Sequence, residues 1–350
     1  MRDSLAEEVK FNCDVSDAKY WGYFSLCGLL MRLRDLYRSE KGLNPWAPID
    51  QNEIAGWIAR KEARWAELES GDFTDLQING TAYHPFDIFE INLALKGTGL
   101  VYGAGYGVYM KPNFLLAELR SAREIYDYNV YLTGKEHARD LFVTSGMLQG
   151  RCIFLRLEPL RMFLWGKYLE FKSKRSPSLD YAFRHYGVNP AHDDGGDPEK
   201  ALEEMVDGYS GIVLFHELAE AMEDLPEWPD MLVNLGDRDT EFLLRALKDL
   251  IADTSDHGPI RKIIENEDKG AIGLYVALAE GYRKTMYPEM NEAFEKFILD
   301  EDWRVLEAAR ESGHRKFLSL REAAMKTYKT GLEKQTVLRE IKGLLSAQPK

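Results

Sequence analysis

Residues 97–109 read Gly97-Thr98-Gly99-Leu100-Val101-Tyr102-Gly103-Ala104-Gly105-Tyr106-Gly107-Val108-Tyr109. Glycine breaks helices, and the valine and tyrosine side chains between these glycines suit a pleated strand. The stretch predicts two short strands joined by a glycine-containing turn. It decides the fold class, because most of the chain around it has helical periodicity. A phosphate-cradling loop is the other reading of so many glycines. No Gly-Lys-Ser/Thr follows, however, and Gly103-Ala104-Gly105-Tyr106-Gly107 falls one residue short of a dinucleotide-binding fingerprint. Tyr102, Tyr106 and Tyr109 fit one face of a sheet.

Downstream, 114–132 is ambiguous. Leu115, Leu116, Leu119 and Ala122 suit a helix, whereas Tyr128 to Leu132 suits a strand. Cys152 to Leu157 is a further strand-like run. Together these predict a small antiparallel sheet within about 97–157, followed by a helix from Glu158 to Lys172. Upstream, Ser16 or Asp17 can cap a helix that runs to Glu40 and stops at Gly42. A second helix starts at Asp50, where Asp50 and Glu53 have capping-box spacing, and stops near Gly71. His84 precedes Pro85 at a predicted helix start and reads as a turn residue.

Residues 187–198, GVNPAHDDGGDP, have loop composition. Beyond them helical spans are predicted at about 199–224, 238–254, 259–267, 270–286, 289–298, 300–311 and 314–345. The expected fold is therefore α+β and predominantly helical. Residues 1–186 form a helical N-terminal region with the small antiparallel sheet, 187–198 a linker loop, and 199–350 an acidic all-α C-terminal domain.

The chain has 350 residues and a formal net charge of -13. Its hydrophobic content of 45% supports a packed core and excludes a disordered chain. The negative excess lies in one region. From Pro190 to Arg304 there are 29 acidic and 11 basic residues, while the remainder is mildly basic. General nucleic-acid coating, which needs basic patches, is not expected. The apolar stretch Tyr20 to Met31 contains two glycines and a serine. It is too short for a membrane span, which takes roughly 20 residues. Cys13, Cys27 and Cys152 form no CxxC pair, so neither a disulfide framework nor a cysteine zinc site is expected. A reducing, cytoplasmic setting fits best. No Gly-x-Ser-x-Gly elbow supports a serine hydrolase.

The chemistry-bearing string is Phe215-His216-Glu217-Leu218-Ala219-Glu220-Ala221, in an apolar helix. Residues four apart share a helix face, so His216 and Glu220 can address one ion, with Glu217 beside them to activate water. The string resembles the HExxH helix of zinc-dependent peptidases, with Glu220 standing where the second histidine would be. That resemblance covers five residues and implies zinc ligation by His216 and a general-base role for Glu217. Asp239 and Glu241 are candidate third ligands. Asp253 and His257 form a second pair four apart, and Glu280 lies in an otherwise apolar stretch, where a lone carboxylate is costly to bury. His216, Glu220, Asp253, His257 and Glu280 thus make two imidazoles and three carboxylates. Helical bundles build di-iron and di-manganese sites from such sets, although the usual Glu-x-x-His spacing is missing.

The specific expectation is a divalent-metal site (Zn, Fe or Mn) in the C-terminal domain, serving hydrolysis, with a small-molecule ligand. One alternative is a non-catalytic helical interaction module that meets a protein partner. The other is a redox di-iron or di-manganese protein. His192-Asp193 and the cluster Asp193, Asp194 and Asp197 superficially match a phosphohydrolase dyad and a calcium loop. Their setting reads as solvated loop.

Overall fold

A computed structural model describes residues 2–107, 110–142, 144–173, 176–188, 198–223 and 227–346. The chain divides into two compact units, Met1–Tyr168 and Leu169–Lys350. The architecture is α+β and predominantly helical. The joint expected at 187–198 lies within the second unit, and its residues 189–197 are outside the described residues, as are His192, Asp193, Asp194 and Asp197.

The first unit opens with helix α1 (Arg2–Tyr20). A 3-10 turn at Trp21–Tyr23 separates it from α2 (Leu26–Lys41). The expected single helix from 16 or 17 to 40 is therefore two helices. Ser25 is the N-cap of α2 and accepts from the Gly28 amide, so capping chemistry lies nine residues beyond Ser16. Ser16 and Asp17 are buried inside α1. Helix α3 (Gln51–Leu68) starts as expected, with the Asp50 carboxylate accepting from the Asn52 and Glu53 amides. Instead of closing a capping box, the Glu53 carboxylate accepts from the Tyr37 hydroxyl.

A two-stranded antiparallel sheet, β1 (Leu76–Ile78) and β2 (Thr81–Tyr83), precedes α4 (Ile88–Ala94). The main sheet follows: β3 (Leu100–Tyr106), β4 (Pro112–Ile125), β5 (Tyr128–Arg139), β6 (Gly146–Gln149) and β7 (Cys152–Arg156), in the order β3-β4-β5-β7-β6. It is mixed. β7 enters between β5 and β6 and runs parallel to β5, pairing Val130 with Ile153. The ambiguous stretch 114–132 is strand. The first half of β4 is buried on both faces, which erases the alternation that marks a half-exposed strand.

The sheet curls until β3 and β6, its two end strands, touch. Instead of two strands joined by a turn, residues 100–106 form the single strand β3, and Gly103 and Gly105 inside it serve this closure. A Cβ at Gly103 would lie 2.9 Å from the Met147 Cε, and one at Gly105 would collide with the Gln149 amide. Gly97 and Gly99 have positive φ and make the turn that enters β3. Tyr102, Ala104, Phe114 and Leu116 pack with Leu5, Val9 and Cys13 of α1. Val101, Leu115 and Ala117 form the opposite face with Met147 and Phe154. Helix α5 (Leu157–Ser173) leaves the sheet.

In the second unit every element among the described residues is a helix: α6 (Pro177–His185), α7 (Pro198–Met222), α8 (Trp228–Leu235), α9 (Arg238–Thr254), α10 (Pro259–Glu265), α11 (Lys269–Leu278), α12 (Gly281–Met286), α13 (Pro288–Asp300), α14 (Trp303–Tyr328) and α15 (Lys334–Ser346). The span expected at 270–286 breaks at Glu280-Gly281, where Gly281 has a positive φ. The break expected near 312 is absent, and α14 runs through it. Helix α9 is central, packing against α7, α12 and α14. No helix among the described residues is long and apolar enough to cross a membrane.

Candidate functional site

His216 and Glu220 lie on α7, one turn apart. Asp253 is in the last turn of α9, Tyr275 is on α11 and Arg283 is on α12. The Asp253 carboxylate, 1% exposed, joins them. Its Oδ1 lies 2.7 Å from the His216 Nδ1. Its Oδ2 accepts from the Tyr275 hydroxyl at 2.9 Å and from the Arg283 guanidinium at 2.7 Å. The other imidazole nitrogen, Nε2, faces Glu220 at 3.8 Å, and Lys248 of α9 donates to the far oxygen of that carboxylate.

Local structure explains this convergence. Asp249 and Asp253 are four apart and share a face of α9. The chain doubles back sharply after α9. A Cβ at Gly258 would lie 2.6 Å from the Asp253 carbonyl oxygen, so only glycine lets α10 start so close to the end of α9. The break after α11 frees α12, which packs on α9 and brings Arg283 to Asp253.

The electrostatics follow from burial and pairing. Burial opposes a charge on His216, but the adjacent Asp253 more than offsets it and the ring's pKa rises to about 10. Burial likewise opposes the Asp253 charge, and Arg283 and His216 nonetheless hold it below the usual carboxylate range. Glu220 is held low by His216 and Lys248 against its burial. Glu217 is different. Burial pushes its carboxyl up to about 7, with help from Glu220 and Asp249 and against the pull of His216. Asp249 is also raised, chiefly by burial. The Tyr209 phenol, seven residues before His216 on α7, is pushed by burial to about 12.

Three of the five expected ligands, His216, Glu220 and Asp253, thus come together. His257 and Glu280 do not join them as buried donors, because both side chains are exposed. α9 ends at Thr254, so His257 has no helix face in common with Asp253. Glu280 sits at the α11–α12 break, where a carboxylate reaches solvent at little cost. Asp239 is in the first turn of α9, with a Lys342 ammonium 3.9 Å away, and Glu241 pairs with Arg245. Among the described residues, no group of three or more His, Cys, Asp and Glu side chains is placed to hold a metal ion. The carboxylates that a metal would use are instead neutralised by Lys248 and Arg283. Sequence reasoning missed Lys248, Tyr275 and Arg283. The Asp249/Asp253 spacing is the one signal that could have pointed to α9 as the second wall.

The first unit holds buried charge that the sequence did not announce. Lys111, 3% exposed, lies 3.0 Å from Asp17, 3.4 Å from Asp140 and 2.9 Å from the Ser16 hydroxyl. Asp17 and Asp140 also accept from the Leu141 and Phe114 amides, respectively, so these charges fasten α1 to the sheet. Arg156 grips Glu136 through two bonds of 2.7 and 2.9 Å.

No curated protein and no solved structure matches the chain. Two family patterns do, and they span nearly all of it. Residues 4–156 match the N-terminal domain, and residues 161–347 the C-terminal domain, of a family described as a family of unknown function, DUF6866. The chain belongs to that family.

Proposed function

We propose that the second unit carries an acid–base centre for a small substrate. One observation carries the reading: the buried Asp253 carboxylate holds His216 by Nδ1 at 2.7 Å and leaves Nε2 facing the half-buried Glu220 at 3.8 Å. A carboxylate behind an imidazole orients the ring and stabilises its protonated form. His216 is then the proton donor, and Glu217, with a pKa of about 7, is the group that exchanges protons near neutrality. Catalysis of this kind contributes about 10²–10⁴-fold.

The test is turnover of chromogenic esters and phosphates by the full chain, beside His216→Gln and Glu217→Gln. The expected result is a rate that falls about a hundredfold or more in both variants while each keeps its helical circular dichroism. Equal turnover in all three proteins refutes the reading.

The divalent-metal reading keeps one supporting observation, the convergence of His216, Glu220 and Asp253. It requires Lys248 and Arg283 to give way and His216 to lose its proton. Elemental analysis of wild type beside His216→Ala separates the two. Stoichiometric metal in the wild type alone would favour the metal centre.

A further inference from the structure

A groove in the first unit lies far in sequence from the His216 centre. Its walls are the turn into α4 (Phe86) with the first residues of that helix (Ile88, Phe89), the β4–β5 hairpin end and the β6–β7 hairpin end, and its cavity measures about 580 Å³. The aromatic wall is firmly seated. Phe86 stacks on Tyr106 with centroids 4.9 Å apart and tilts against Phe114 at 5.3 Å. Phe89, beside it, is 63% exposed, and Leu93, one turn further along α4, is 61% exposed. Exposed apolar residues this close together mark a surface that gains by being covered.

The rim bears charge of one sign. Asp87, Glu90, Glu124 and Asp127 line the groove, and Arg151 is the single cation among its lining residues. None of the four carboxylates makes an ion pair among the described residues. Asp87 sits at the N-cap of α4, yet its side chain makes no capping bond. Four carboxylates left without internal partners around an aromatic wall are complementary to a positive, partly apolar occupant. Ammonium or guanidinium groups would meet the carboxylates and the faces of Phe86 and Phe89, while apolar side chains would cover Phe89 and Leu93. The groove is wide and open, whereas small-molecule sites enclose most of their ligand. Its shape suits an extended segment of chain.

We propose that this groove docks a basic, partly apolar segment of a partner protein. The probe is a fluorescein-labelled hexapeptide of alternating lysine and leucine, titrated into the full chain by fluorescence anisotropy. A glutamate–leucine hexapeptide is the control and spermine the competitor. The lysine peptide should bind, lose affinity with added salt, and bind about tenfold or more weakly to Glu90→Lys/Glu124→Lys and to Phe89→Ser. All three substituted side chains are exposed, so the variants fold. Equal binding to wild type and both variants overturns the proposal, because the peptide would then be held by the acidic stretch at 190–304. Absence of binding overturns it too. Full displacement by spermine, with no effect of Phe89→Ser, would identify a small-amine site instead of a peptide groove.

Discussion

Replacing Asp253 by Asn tests the centre of the second unit directly. The side chain keeps its shape and still offers one oxygen to the Tyr275 hydroxyl. What it loses is the negative charge between His216 and Arg283. Removing one member of a buried ion pair costs about 3–5 kcal/mol, mostly because the remaining charge is left unpaired. Here the two cations are not sealed in. The His216 side chain is 19% exposed and that of Arg283 29%, so both regain some hydration. The low end, about 3 kcal/mol, is therefore expected. For a unit of this size that is a fall in unfolding temperature of about 6–12 °C. The sign of the pH dependence is also set. The His216 pKa is raised in the folded state, so its contribution to stability is complete below its ordinary value near 6.5 and is lost as pH rises through about 10. In Asp253→Asn burial prevails, the ring titrates near or below about 6.5, and that alkaline loss disappears. Urea unfolding followed by circular dichroism gives the stability, and histidine-resolved NMR gives the titration. A wild-type His216 that titrates below about 7, or a loss under about 1 kcal/mol in the variant, would refute the reasoning.

Gly258→Ala should lower stability by about 1–3 kcal/mol and lower the His216 pKa as well, because a Cβ 2.6 Å from the Asp253 carbonyl must push the end of α9 aside. Thermal unfolding and the same NMR titration check both parts. Lys111→Met leaves Asp17 and Asp140 buried without their cation, a cost of about 3–5 kcal/mol. That cost should be smaller at about pH 5 than at about pH 8, because burial raises Asp17 to about 7 and protonation removes the unpaired charge. A pH-independent difference in urea midpoints would contradict the assignment. Ser25→Ala should cost only about 1 kcal/mol, the worth of an N-cap, whereas Asp17→Asn should cost more. The reverse ranking in chemical unfolding would contradict a stabilising role for the buried Asp17–Lys111 pair.

The sequence displayed what periodicity and local chemistry control. α3, α5, α7, α9 and α10 begin within a residue or two of their expected starts, because capping residues, prolines and apolar spacing act over a few positions. The Gly/Tyr stretch marked the sheet for the same reason. His216, Glu220 and Asp253 were legible as one group, because i, i+4 spacing and charge among apolar neighbours are local signals.

Tertiary structure decided the rest, and for a common reason: the deciding contacts join residues far apart in sequence. The parallel pairing of β5 with β7 and the meeting of β3 with β6 leave no trace in either strand taken alone. β4 looked half helical because both faces of its first half are covered, which only its partners determine. Asp17 resembled a helix cap until Lys111, 94 positions away, proved to be its partner. The same holds at the candidate site. Spacing showed which side chains could face one ion. It could not show that Lys248 and Arg283 would arrive first, because those cations come from other helices. The residue types of the site were written locally. Their protonation states were set by what the fold placed around them.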